Sequence, residues 1–130
     1  MNALVVSVNG GFVRMHQEAL PVLQELGITT TVVHTMADAR SASGWDLALV
    51  ECVLPEGGGS KVAMTDCLPL LKDLSASKPG AGLLVLYSAR GGLEKKHKEA
   101  YLAVPGVRGN FPYPFVEKTL KALKKALTGP

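Results

Sequence analysis

The sequence predicts an α/β fold, a parallel sheet with helices on both faces. Three observations point there. Short runs rich in apolar and β-branched residues recur at 4–8, 29–34, 46–53, 83–87 and 107–111. Segments with apolar residues at helical spacing separate them. Several of the runs are continuously apolar rather than alternating, as in strands covered on both faces. Strand–helix alternation of this kind implies right-handed crossovers. It also gathers ligands and reactive groups at the C-terminal ends of the strands.

Taken in order, Leu4-Val5-Val6-Ser7-Val8 reads as a buried strand that Asn9-Gly10-Gly11 interrupts. Helical spacing runs over 12–26, with Gly27 as the stop and Pro21 as a kink or a shifted start. The second strand covers 29–34, and Thr35 caps a short helix ending at Arg40. The loop Ser41-Ala42-Ser43-Gly44 leads into the third strand, 46–53. A third helix, 60–74, contains Pro69; 75–82 is loop, and 83–87 is the fourth strand. A lysine-rich helix covers 93–103, and a short fifth strand covers 107–111. The last helix, 115–127, carries the stripe Val116, Leu120, Leu123 and Leu127, with Lys118, Lys121, Lys124 and Lys125 largely off it.

Composition narrows the function. The 130 residues fit one domain, 1–130, and the apolar share of 47% is that of a globular protein. The longest apolar runs are too short to span a bilayer, and the N-terminus has no basic segment before its apolar stretch, so a cytosolic protein is expected. Cys52 and Cys67 read as buried free thiols, and two cysteines with three scattered histidines make no zinc pattern. Charge is asymmetric: 1–89 hold five Lys/Arg and eight Asp/Glu, while 90–130 hold nine and three. A basic C-terminal third suits either an acidic partner or a solvated lysine-rich face. No aromatic residues interleave with the last helix's lysines, which argues against nucleic acid.

The segment 45–59 is the most informative. An apolar run ends in Glu51, Pro55 follows by four residues and Gly59 by eight. Ser88-Ala89 closes the fourth strand, and Tyr113-Pro114-Phe115 follows the fifth. In this order the three motifs resemble the response-regulator receiver domain, over essentially the whole chain. The resemblance implies a flavodoxin-like (CheY-like), doubly wound three-layer α/β/α fold with strand order 2-1-3-4-5. It also implies that the Tyr113-Pro114 bond is cis.

Receivers hold Mg²⁺ with two acidic residues after the first strand and a phosphoacceptor Asp, and pair the phosphoryl group with a Lys. The matching positions here are Ser7 and Val8, or Asn9 if the alignment slips, with Glu51 for the Asp and Tyr113 for the Lys. Hard cations need clustered carboxylates, and phosphoryl transfer depends on positioning. Only the Ser88 hydroxyl, with Ala89 beside it, keeps the family's pattern. The resemblance therefore implies a pseudo-receiver: a signalling module without Mg²⁺-dependent Asp phosphorylation, not an enzyme, with no cofactor and no metal.

Individual residues keep alternatives. Glu51 is either a mimic of a phosphorylated Asp or a solvated carboxylate at a strand end. Ser88 is either that phosphoryl contact or a turn residue. Tyr113 is either a rotating switch aromatic or a cover for the space left by the lysine. Cys52 is either a reactive thiol or a buried inert one, and the absence of a cationic neighbour in sequence favours the second. His16, His34 and His97 are structural or exposed. The face that receivers use for partners, fourth helix, fifth strand and fifth helix, carries Lys95, Lys96, Lys98, Arg108, Lys118, Lys121 and Lys125. It suits a protein with an acidic surface or a homodimer. A second reading takes Gly57-Gly58-Gly59-Ser60-Lys61 as a phosphate-binding loop of a small-molecule binder, though it lacks the P-loop spacing. A third, phosphate on Glu51 or Ser88, suffers from the missing acidic pair.

Overall fold

The structure is a computed structural model that describes residues 1–8, 15–56 and 64–128, without the side chain of His16. The first strand is β1 (Asn2–Val6), followed by helix α1 (Met15–Glu25) and β2 (Thr29–Val33). Next come α2 (Met36–Ser41), β3 (Leu47–Glu51), β4 (Val53–Pro55) and β5 (Met64–Asp66). The chain continues through α3 (Leu68–Ser77), β6 (Gly82–Ser88), α4 (Lys95–Leu102), β7 (Val107–Tyr113) and α5 (Glu117–Thr128).

Five strands form one parallel sheet in the order β2-β1-β3-β6-β7. Counting the sheet strands alone, this is 2-1-3-4-5, the flavodoxin-like, CheY-like arrangement. The central strands explain their own composition. On β1, Leu4 and Val6 face one core while Ala3 and Val5 face the other. Ala48 and Val50 of β3 and Leu83 and Val85 of β6 join the first core; Leu47, Leu49, Leu84 and Leu86 join the second. Each strand must therefore be apolar on both sides, which removes the polar alternation of a one-faced sheet. Met36, Leu70 and Tyr101, from α2, α3 and α4, complete the first core. Leu23, Leu123 and Leu127, from α1 and α5, complete the second.

Local signals place the helix ends. The Thr35 hydroxyl accepts the Asp38 amide at 3.1 Å, the N-cap bond expected of it. Gly27 ends α1 with φ +72°, a conformation other residues rarely adopt. Pro21 lies inside α1 at an exposed position.

Four expectations need correction. The helix expected over 60–74 starts only at Leu68; Met64–Asp66 is instead a strand, paired antiparallel with β4. Pro69 belongs to the first turn of α3, where a missing N–H costs nothing, and Asp66 accepts the Leu68 amide at 2.8 Å. The expected loop 75–82 is helix as far as Ser77. The strand expected over 46–53 ends at Glu51, after which the chain turns into the hairpin. Val116 is not part of the apolar stripe of the last helix: it precedes α5 and is 65% exposed.

Replacing Leu49, fully buried at the sheet centre, by Ala is expected to lower unfolding free energy by about 3 kcal/mol. Replacing Thr35 by Ala is expected to cost about 1 kcal/mol. Urea denaturation of both variants measures the contrast.

Candidate functional site

Parallel order puts the C-terminal ends of β1, β3 and β7 on one side of the sheet. Val6 is in register with Val50, so the residue after β1, Ser7, lies level with Glu51 at the end of β3. Here the connections leaving β1 and β3 diverge, the position at which α/β sheets bind ligands.

Glu51 is not the solvated carboxylate considered above; it is 9% exposed. Three donors converge on it. The Ser7 hydroxyl donates to Oε1 at 2.9 Å, and the Val8 amide donates to the same oxygen at 3.0 Å. The Tyr113 hydroxyl donates to Oε2 at 3.3 Å. Ser7 is completely buried and Tyr113 is 4% exposed. A buried carboxylate without donors would cost several kcal/mol, roughly the full desolvation of the charge. The three donors supply that solvation from β1 and β7.

Burial is the largest influence on Glu51 and raises its pKa above the usual carboxylate range. The Val8 amide, the Ser7 hydroxyl, the Tyr113 hydroxyl and the nearby His34 pull the other way. Burial and the Glu51 charge together push the Tyr113 phenol upward, so it remains a donor at neutral pH.

His34 belongs to the site although the sequence gave no reason to single it out. Its Nδ1 donates to the Ser7 carbonyl at 2.9 Å, and the Ser7 amide in turn donates to Val33 at 2.9 Å. The one signal was position: His34 follows β2, the neighbour of β1. His97 stacks on Tyr101 at 6.4 Å, away from Glu51.

Ser88 and Ala89 sit beside Tyr113. Ser88 is in register with Tyr113 in the β6–β7 pair, and the Ala89 amide donates to the Tyr113 carbonyl at 2.9 Å. The Ser88 carbonyl accepts the Gly92 amide, which closes a turn. The Tyr113-Pro114 bond is cis. Asn9 and the Gly57–Lys61 loop fall outside the described residues. Cys52 and Cys67 are free thiols, and burial with the Glu51 and Asp66 charges pushes Cys52 up to about 11. Among the described residues no group of three or more His, Cys, Asp or Glu side chains could hold a metal ion.

The basic face is more neutral than its cations suggest. Lys95 pairs with Glu99 at 3.9 Å, Lys96 with Glu94 at 3.6 Å and Lys121 with Glu117 at 3.6 Å, all exposed. Arg108 donates to the Ala126 carbonyl near the end of α5 at 2.6 Å, and Lys98 lies 5.5 Å from the Tyr87 ring centre. Lys118 and Lys125 are exposed and make no ion pair with a described residue.

Comparison with known proteins turns on the shape of the chain. No protein-family model matches the sequence. No curated protein matches it either. Solved structures do. The signal receiver domain of an HD domain-containing protein from Pseudomonas fluorescens Pf-5 superposes with a TM-score of 0.72 at 18% identity, covering 97% of this chain and 93% of that one. A CheY-like response regulator receiver domain protein from Methanospirillum hungatei JF-1 gives 0.71 at 16% identity, over 97% and 92%. The receiver domain of the sensor histidine kinase PA1611 from Pseudomonas aeruginosa PAO1, with magnesium in its active-site cleft, gives 0.63 at 18%, over 95% and 93%.

The chain has the receiver fold. At these identities the likeness speaks for the fold alone. On the receiver fold, the cluster just described occupies the C-terminal end of the sheet, with Glu51 at its centre. Among the described residues no helix is long and apolar enough to cross a membrane.

The raised Glu51 pKa has a definite pH consequence. The folded state holds this proton to higher pH than the unfolded chain, so the Glu51 contribution to stability falls as pH rises from about 4.5 through the folded value. The stability difference between Glu51→Gln and wild type is therefore expected to shift in favour of Glu51→Gln across that window. Denaturant titrations at a series of pH values measure it, and a constant difference would show that Glu51 titrates normally.

Proposed function

We propose that this chain is a cytosolic receiver-like signalling module that acts through protein–protein contact, its phosphorylation chemistry having been lost. The observation that carries the reading is the closed hydrogen-bond set on Glu51. A receiver's carboxylate must turn to a metal ion and an incoming phosphoryl group. Here one oxygen of Glu51 accepts from Ser7 and Val8 and the other from Tyr113. The resemblance places Ser7 and Val8 where receivers carry the acidic pair, and neither adds the negative charge that a hard cation requires. Tyr113 stands at the lysine position and supplies a neutral donor to the carboxylate, where a lysine would supply a cation.

The role proposed is non-enzymatic. Glu51 serves, when ionised, as an internal anion tied to the strand ends, a counterpart of the charge that phosphorylation would add. The output is recognition of an acidic protein surface by the face built from α4, β7 and α5. Lys98, Arg108, Lys118 and Lys125 carry most of that attraction, because Lys95, Lys96 and Lys121 share their charge with neighbouring glutamates. Such charges speed encounter more than they add affinity.

In an amide NMR titration with Mg²⁺ and then beryllofluoride, resonances of Glu51, Ser88 and Tyr113 are expected to stay fixed. Shifts that spread into α4 would show a working phosphorylation switch and overturn the proposal. For the recognition surface, the double variant Lys118→Glu with Lys125→Glu is expected to weaken capture of the protein partner at least about tenfold at low salt. Lys95→Glu is expected to change capture less, and equal losses would place the contact elsewhere.

A further inference from the structure

Beyond that reading, the hairpin after Glu51 brings the chain's two cysteines together. β4 and β5 pair antiparallel, with Val53 opposite Asp66. One step further along the hairpin brings Cys52 opposite Cys67, and the Cys67 amide donates to the Cys52 carbonyl at 2.8 Å. Directly opposed residues of an antiparallel pair have Cα atoms about 4.5–5.5 Å apart. A disulfide spans Cα separations of roughly 4.4–6.8 Å. Both side chains pack into the same core, Cys67 within it and Cys52 against its edge. Each thiol also feels the Asp66 carboxylate, and Cys67 feels Cys52.

The two thiols differ in access. Cys67 is fully buried, whereas Cys52 is half-buried and lines an open cleft with Val53, Leu93 and His97. A reagent in solution therefore meets Cys52 before Cys67.

We propose that Cys52 and Cys67 are a redox modification site, forming an intramolecular disulfide on reaction with a low-molecular-weight disulfide such as oxidised glutathione. The Cys52 thiolate attacks one sulfur of the oxidant, forming a mixed disulfide and releasing one small thiol. The Cys67 thiolate then attacks the Cys52 sulfur and releases the second. Two electrons pass to the oxidant, which leaves as two thiols carrying the two protons that the cysteines lose. Both cysteines are raised by burial, so each attack uses a small thiolate fraction and the reaction is slow, on the order of hours. The bridge closes the hairpin onto the residue that follows Glu51, whose amide is bonded to Leu86 of β6 at 3.0 Å.

The test incubates the folded chain with oxidised glutathione, quenches in acid, and maps unreduced peptides by mass spectrometry. The expected product is lighter by two hydrogens, contains linked Cys52 and Cys67 peptides, and melts about 5–10 °C higher than the reduced protein. Cys67→Ser is expected to hold glutathione on Cys52. Because that buried position can upset folding, Cys52→Ser provides the second variant, and its Cys67 is expected to remain unmodified over the same period. Two free thiols after incubation, a stable glutathione adduct on wild-type Cys52, or a disulfide-linked dimer would each overturn the proposal. So would a bridge that forms in urea and not under native conditions.

Discussion

The solvation of one buried carboxylate organises this end of the molecule. Glu51 sits at the end of the central strand β3, where water cannot reach it freely, and its charge must be met from within the protein. The Ser7 hydroxyl and the Val8 amide meet it from the end of β1, and the Tyr113 phenol from the end of β7. Those strands lie on opposite sides of β3, so the hydrogen bonds fasten the C-terminal end of the sheet from β1 to β7. The residues at 7, 51 and 113 act as a set. Replacing Tyr113 removes the described donor to Oε2, and replacing Glu51 removes the described acceptor of the Tyr113 hydroxyl, which costs more than the hydrogen bond itself contributed.

The fold was legible because of how the sheet is covered. With helices on both faces, the interior positions of β1, β3 and β6 had to be apolar, and that continuous pattern is unusual enough to reveal both strand and topology. The hairpin was not legible. Its strands are three residues each, too short for a period, and Met64–Asp66 continues the apolar spacing that the following helix uses. Pro69 was the available clue, since a proline is better placed in a first helical turn than inside a helix.

The candidate site was half legible. Strand ends marked Ser7, Glu51, Ser88 and Tyr113 as neighbours, because parallel order alone brings those ends together. Order could not show which side chains turn inward. The burial of Glu51 depends on Tyr113 reaching across β6, and His34 enters through a backbone carbonyl, a partner that leaves no trace in side-chain chemistry. The basic face shows a similar limit. Counting cations identified it, yet Glu94, Glu99 and Glu117 lie among those cations and share their charge. Exposed pairs of this kind add at most about 1 kcal/mol each to stability. They do redistribute the field that an approaching surface would feel.

The strand order also bears on how the molecule assembles. β1 pairs with the next strand, β2, across α1, and with β3 one unit further on, so both of its pairings wait for chain that comes later. Sheets built from such distant pairings close slowly, because loop entropy is lost before the contacts form. β7 is the last strand in sequence, at the far edge of the sheet, and it carries Tyr113. Until it docks, Glu51 lacks its third donor and an oxygen remains open to water. The buried anion is thus complete only when the edge strand is in place, and its environment distinguishes the whole sheet from one missing that edge.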